Sequence, residues 1–369
     1  MTTTTTIRWW QPEVGAEERE AVVRVLASNY LNEGDVTTEF ERRAAALLGA
    51  RHAVATTSGT SAIFLALAGL GIGPGDEVLV PDLTFIATAN AVTMTGATPV
   101  LVDVDPDTLT IDPAAIERAA TPRTKAVVPV HVSGRAAAMA RILDTAARLR
   151  IAVVEDAAEA LLSRHAGRCL GTFGIAGCFS FSPNKTVTTG QGGLVVTDDD
   201  ALAQRLRALK DQGRPVRGTG GNDVHDAVGY NFKLTNLQAA VGVAQLEKLE
   251  ARVARLREIY RVYADSLTDV RGIRILPFGT EDGESPQWVD ALAEDRDGLV
   301  AHLLSRDIHC RPFWCPIHTQ RPYRRPDEDF PVSSRVAASA VWLPSAFQLE
   351  ARDIRLVCDE IRRWYHSRS

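Results

Sequence analysis

The chain has 369 residues, 45% hydrophobic and 24% charged, with 41 basic against 46 acidic side chains and a net charge of −5. That balance gives no electrostatic footprint for nucleic acid or an anionic membrane, and no apolar run approaches the roughly 20 residues of a membrane helix. Scattered cysteines (Cys169, Cys178, Cys310, Cys315, Cys358) form no secreted disulfide framework, and the threonine run of Met1–Thr6 lacks a signal peptide's layout. A cytoplasmic protein with one large and one smaller domain is the expectation.

From His52 onward, short apolar stretches alternate with helical patterns. His52–Thr56, Glu77–Val80, Pro99–Val102, Ala126–Val130 and Ile151–Glu155 have the Val, Leu and Ala content of buried strands. Between them Thr60–Leu70, Thr84–Thr95, Asp112–Ala119 and Ala137–Leu149 carry apolar residues at helical spacing, and Asp112-Pro113 is a capped helix start. The alternation predicts an α/β fold, a mostly parallel central sheet flanked by helices, with ligands beyond the carboxyl ends of its strands. Cys178–Phe181 and Gly193–Thr197 read as further strands, followed by a helix over Ala201–Asp211 and a basic, glycine-rich loop from Gly213 to Gly221. One long amphipathic helix from about Thr235 to Leu267, with a bend, leads into a smaller C-terminal α+β domain. Its strands are expected near Ile273–Leu276, Gln287–Leu292 and Cys310–Phe313, and its helices near Asp297–Arg306 and Ala351–Trp364. The expected division is a large domain over 1–250, including an N-terminal arm, and a small one over 251–369.

Two segments carry the chemistry. Ser180-Phe181-Ser182-Pro183-Asn184-Lys185 places one lysine on a loop between an apolar strand and the glycine-rich turn Gly190–Gly193. Val153-Val154-Glu155-Asp156-Ala157-Ala158-Glu159 ends another strand in carboxylates. A positioned amine and an acid at a strand's carboxyl end are what pyridoxal 5'-phosphate (PLP) needs: the amine carries the cofactor aldehyde as a Schiff base, and the acid keeps the ring nitrogen protonated. Asp156 is that acid, although an aspartate there also suits a helix N-cap. Glu159 stands at helical spacing from it and could face the phenolic oxygen. Thr57-Ser58-Gly59-Thr60-Ser61, opening a helix after a strand, could receive a phosphate on backbone N–H groups, or merely cap the helix. Ser180 could add a hydroxyl, and Phe85 could stack on the ring or fill core.

Other constellations are weaker. His309, Cys310, Cys315 and His318 lack a short C-x-x-C knuckle, so no metal site is expected. Asp103, Asp105 and Asp107 mimic a calcium loop, but Thr108 stands where its glycine is required. Ser182 and Lys185 satisfy the S-x-x-K of serine acyl-enzymes without the companion motifs.

The motifs taken together resemble the DegT/DnrJ/StrS sugar aminotransferases, PLP enzymes of fold type I, with the perosamine synthases as nearer relatives. The matching stretches are Ser58-Gly59-Thr60, Gly71–Val78, Phe85–Asn90, Thr121–Ala126, Pro129-Val130-His131, Glu155–Ala160, Asn184-Lys185, Gly229-Tyr230-Asn231 and Leu237–Ala240. The resemblance implies that Lys185 bears the cofactor and then moves the proton, Asp156 pairs with the ring nitrogen, and Glu159, where many relatives carry glutamine, meets the phenolic oxygen. It also implies that Phe85 covers one ring face and that Gly59, Thr60 and Ser180 hold the phosphate. Asn231 would join them from a neighbouring subunit, hence a homodimer with shared active sites. The implied reaction moves nitrogen from L-glutamate to a keto-sugar, a nucleotide-linked 4-keto-6-deoxyhexose. Arg214 and Arg217 could meet the diphosphate, and His318 is a further substrate candidate. Departures are Ile175 and Cys315, where relatives commonly carry aspartate and histidine, and the segment Gln287-Trp288-Val289. A PLP-dependent dehydratase or eliminase is the alternative activity, and a PLP-fold regulator is a third.

Overall fold

Ahead of the first strand lie two helices that the periodicity had not singled out, α1 (Ala16–Ser28) and α2 (Asp35–Leu48). The computed structural model describes residues 6–215 and 223–368. α2 buries Phe40, Ala44 and Leu48 at i, i+4 and i+8, and ends at Gly49, whose φ of 73° forms a left-handed cap. The predicted alternation follows: β1 (His52–Thr56), α3 (Gly59–Gly69), β2 (Glu77–Pro81), α4 (Ala87–Met94), β3 (Thr98–Val102), α5 (Pro113–Ala119), β4 (Thr124–Val127), α6 (Met139–Leu149) and β5 (Ala152–Asp156). The Asp112 side chain accepts from Ala114 N ahead of Pro113, the cap-and-proline start read from the sequence. A short hairpin, β6 (Arg164–His165) and β7 (Arg168–Cys169), precedes β8 (Ala176–Ser180), β9 (Gly193–Thr197) and α7 (Asp200–Lys210).

The seven large strands order as β1-β9-β8-β5-β4-β2-β3, and all neighbours are parallel except β9 with β1 and β8. β8 and β9 are buried along their whole length, which is why their residues are apolar or small without alternation. Because β9 runs antiparallel to β8, a single loop can join them at one end of the sheet. That loop carries Lys185.

The helix expected from Thr235 to Leu267 is two, α8 (Asn236–Leu246) and α9 (Leu249–Leu267), parted at Glu247–Lys248. Lys248, at the break, reaches back to α1 and pairs with Glu18 at 2.8 Å. A second, wholly antiparallel sheet follows, ordered β10 (Ile273–Ile275), β11 (Val289–Ala293), β13 (Ala340–Leu343), β12 (Arg311–Pro312). Helices α10 (Arg296–Leu304), α11 (Pro331–Ala337) and α12 (Ala351–His366) accompany it, and Ile259, Tyr263, Ile354, Val357 and Ile361 of α9 and α12 share its core. The two sheets are tied together by a buried ion pair, Arg135 to Asp290 at 2.9 Å, and by Trp342 Nε1 donating to Ser133 Oγ at 3.1 Å. Among the described residues no helix is long and apolar enough to cross a membrane.

Candidate active site

β5 delivers two acids to one place. Its last residue, Asp156, lies beside Cys178 of β8, and a turn closed by Ala160 N to Ala157 O (3.0 Å) follows it. No helix begins here, so Asp156 caps none. Instead its Oδ1 accepts Ala158 N (3.1 Å) and its Oδ2 accepts the Thr88 hydroxyl (2.8 Å). The turn, rather than the helical spacing expected, swings Glu159 toward the Lys185 loop. Glu159 Oε2 accepts Ser133 N at 2.9 Å, and Oε1 accepts Lys185 Nζ at 3.1 Å. Burial pushes both carboxyls above their ordinary pKa, opposed chiefly by the Thr88 hydroxyl at Asp156 and by the Lys185 charge at Glu159.

The loop bearing Lys185 is gripped from three sides. Gln287 Oε1 accepts both Thr186 N (3.1 Å) and Thr186 Oγ1 (2.7 Å), and its Nε2 donates to Asn184 O (3.4 Å), so it brackets the lysine. Trp10 Nε1 donates to Pro183 O at 3.1 Å, and Arg252 donates to Thr186 O at 2.9 Å. The Lys185 ammonium also lies 4.8 Å from the centre of the Trp288 ring.

The start of α3 closes the other side. The Ser58 hydroxyl accepts Ser61 N (3.1 Å) and Ser58 O accepts Ala62 N (3.0 Å), which leaves the N–H groups of Gly59 and Thr60 facing outward from the helix start. A Cβ at position 59 would stand 2.9 Å from Ser180 Cβ, so only glycine lets α3 approach the end of β8 this closely.

These groups share one cavity of about 320 Å³, lined by Gly59, Thr60, Phe85, Asp156, Glu159, Ser180 and Lys185. Phe85 is 53% exposed, unusual for a phenylalanine and suited to a ring platform at a cavity wall. Thr88, Trp288, Arg311 and Trp314 line it too, and sequence reasoning had assigned none of them a role. Thr88 had a signal, standing three residues after Phe85 in a matched stretch. Trp288, just ahead of β11, had been noted only as part of a departing segment, and Arg311, in β12, had no signal.

Three further candidates are not brought to the cavity of this chain. Asn231 is exposed and bridges to Asp211, and Arg214 pairs with Asp223 at 2.8 Å. His318 is wholly buried: its Nδ1 is 2.6 Å from Asp82 Oδ2 and its ring stacks on Phe330, so it ties two loops together and does not line the cavity that holds Lys185. Arg217 lies outside the described residues.

The sequence pattern of the DegT/DnrJ/EryC1/StrS aminotransferase family matches residues 12–362. The chain belongs to that family. A GDP-perosamine synthase from Caulobacter vibrioides is 37% identical over 351 residues, covering 93% of this chain and 94% of that protein. Among solved structures, S. venezuelae DesV shares 37% identity at a TM-score of 0.90, covering 95% of this chain and 94% of that one. DesI, solved in the presence of its TDP-sugar product, shares 34% at 0.89, covering 98% and 93%.

This family member is a PLP-dependent aminotransferase, and the residues present fit that group. Burial makes it costly for both Asp156 and Glu159 to ionise beside a single lysine, and a protonated ring nitrogen would offset that cost. The outward N–H groups of Gly59 and Thr60 suit a phosphate.

Proposed function

We propose that this aminotransferase takes the amino group of L-glutamate and passes it to a keto-sugar, a nucleotide-linked 4-keto-6-deoxyhexose, as a cytoplasmic homodimer with shared active sites. The observation that carries this reading is Lys185 Nζ held 3.1 Å from Glu159 in a cavity that also holds Asp156. The substrate class is supported by the relatives, one named for GDP-perosamine synthesis and one crystallised with a TDP-sugar product.

When bound, PLP supplies an aldehyde for the donor's nitrogen and a ring that takes up the electron pair left when the donor's α-C–H bond breaks. Gly59, Thr60 and Ser180 would hold its phosphate, with Asn231 contributed by the neighbouring subunit. Asp156 would keep the ring nitrogen protonated, Glu159 would meet the phenolic oxygen, and Phe85 would cover one face. Lys185 Nζ would hold the cofactor at rest. Once freed by the donor, it would move the proton from the donor's α-carbon to the cofactor's aldehyde carbon, and in the second half-reaction from that carbon to the one that bore the ketone. It must be neutral to do the first. Glu159 Oε1, 3.1 Å from that nitrogen and with its carboxyl raised by burial, is placed to take the proton an ammonium would have to lose. Arg214 and Arg217 are the residues we assign to the sugar's diphosphate.

The test is spectroscopic. The purified enzyme should be yellow, its visible band should shift on adding L-glutamate, and Lys185→Ala should lose turnover altogether. A band indifferent to every amino donor, with product formed regardless, would replace transamination by elimination.

A further inference from the structure

Among the described residues, Arg311 is the cation at this cavity that no side chain neutralises. It lines the same space as Lys185, yet among the described residues its guanidinium makes no ion pair and no side-chain hydrogen bond. The other charged groups on the cavity wall are Asp156, Glu159 and Lys185, and the Lys185 ammonium is already matched to Glu159. Arg311 is not loose. Its backbone is fixed in β12, opposite Trp342 in β13, and its guanidinium lies 4.9 Å from the Trp9 ring centre and 5.5 Å from that of Trp342. Two tryptophan faces thus hold a planar cation in place while leaving its N–H fork without an acceptor. A fork so held is set up for an oxyanion arriving from solution.

We propose that Arg311 receives the carboxylate of the amino-acid donor, and so fixes which small molecule can place its α-carbon at Lys185. The proposal rests on the transamination reading above. Both substrates bring oxyanions, a carboxylate on the donor and a diphosphate on the acceptor. The carboxylate is favoured because the cavity is small, about 320 Å³, and Arg311 and Lys185 share it. An amino acid's carboxylate lies within a few bonds of its reacting carbon. A nucleotide sugar has a pyranose ring standing between its ketone and its diphosphate.

The experiment compares PLP-loaded wild type, Arg311→Gln and Arg311→Lys, with retained cofactor absorbance as the check on folding. Isothermal titration with glutarate, a dicarboxylate that cannot donate nitrogen, reads the donor site. Titration with GDP and with TDP reads the diphosphate site. Arg311→Gln should weaken glutarate about tenfold or more, the loss of charge-assisted hydrogen bonds, and leave the better-bound nucleotide within about twofold. Arg311→Lys should fall between, since it keeps the charge and loses the fork. In the glutamate half-reaction the loss should appear in KM rather than kcat. Equal glutarate affinity in wild type and Arg311→Gln overturns the proposal, as does a loss confined to the nucleotides, which would assign Arg311 to the acceptor. Failure of the underlying reading looks different: the wild-type band would not respond to glutamate at all.

Discussion

Gln287→Leu should slow chemistry without loosening the donor. The substitution keeps the shape of a side chain that is only 2% exposed, and removes the bracket around Lys185. Gln287 Oε1 is the acceptor for both Thr186 N and Thr186 Oγ1; the hydroxyl can turn elsewhere, but the buried N–H cannot. Leaving that N–H unmet costs about 1–3 kcal/mol, which for a chain of this size lowers Tm by a few degrees. The loop keeps two of its three holds, since Arg252 still donates to Thr186 O and Trp10 to Pro183 O. Lys185 therefore stays in the cavity but drifts within it. A misplacement on the order of 1 Å costs about a hundredfold in rate, so the glutamate half-reaction should slow about 10- to 100-fold. Stopped-flow absorbance would read it, with KM for glutamate held within about twofold because Gln287 has no share in donor binding. Wild-type rate constants with the expected drop in Tm would refute the reasoning, because the bracket would then serve stability alone.

The acid opposite the ring nitrogen offers two further tests. Thr88→Val removes the hydroxyl that donates to Asp156 Oδ2 at 2.8 Å and should lift that carboxyl further; equilibrium dialysis should show PLP bound about tenfold or more weakly, and unchanged affinity would mean the hydroxyl is idle. Burial raises both Asp156 and Glu159, so the folded cofactor-free chain holds these protons more tightly than the unfolded one. Its stability is then full below the ordinary carboxylate pKa and falls as pH rises through the raised values. A ring cation relieves that penalty. The Tm gain from PLP should accordingly grow with pH across this window, and Asp156→Asn should remove most of the growth. A gain flat with pH in the wild type would deny the charge account.

What the chain shows on reading, and what it hides, divides along sequence distance. Strands buried on both faces must be apolar throughout, so β1 and β9 appear in the sequence with the bounds they have in the structure. Asp156 and Lys185 stand at or just beyond such strands, and their meeting follows once β5 and β8 are neighbours. β13 is only four residues long, and α1 and α2 stand ahead of the strand–helix alternation that makes the other elements legible. Nothing local marks the break at Glu247–Lys248, because its partner, Glu18, is some 230 positions away. The surroundings of His318 are set from as far away, since the Asp82 carboxyl 2.6 Å from its Nδ1 stands 236 positions earlier. The cavity repeats this pattern. Its cofactor-facing wall comes from segments that follow strands and carry their own motifs. Its outer wall, Arg311 of β12 and Trp288 just ahead of β11, arrives with a second sheet whose approach depends on contacts such as the buried Arg135–Asp290 pair. Of the two, Trp288 falls in a segment read from the sequence as a departure from the family's pattern, whereas Arg311 becomes visible only when the second sheet is in place.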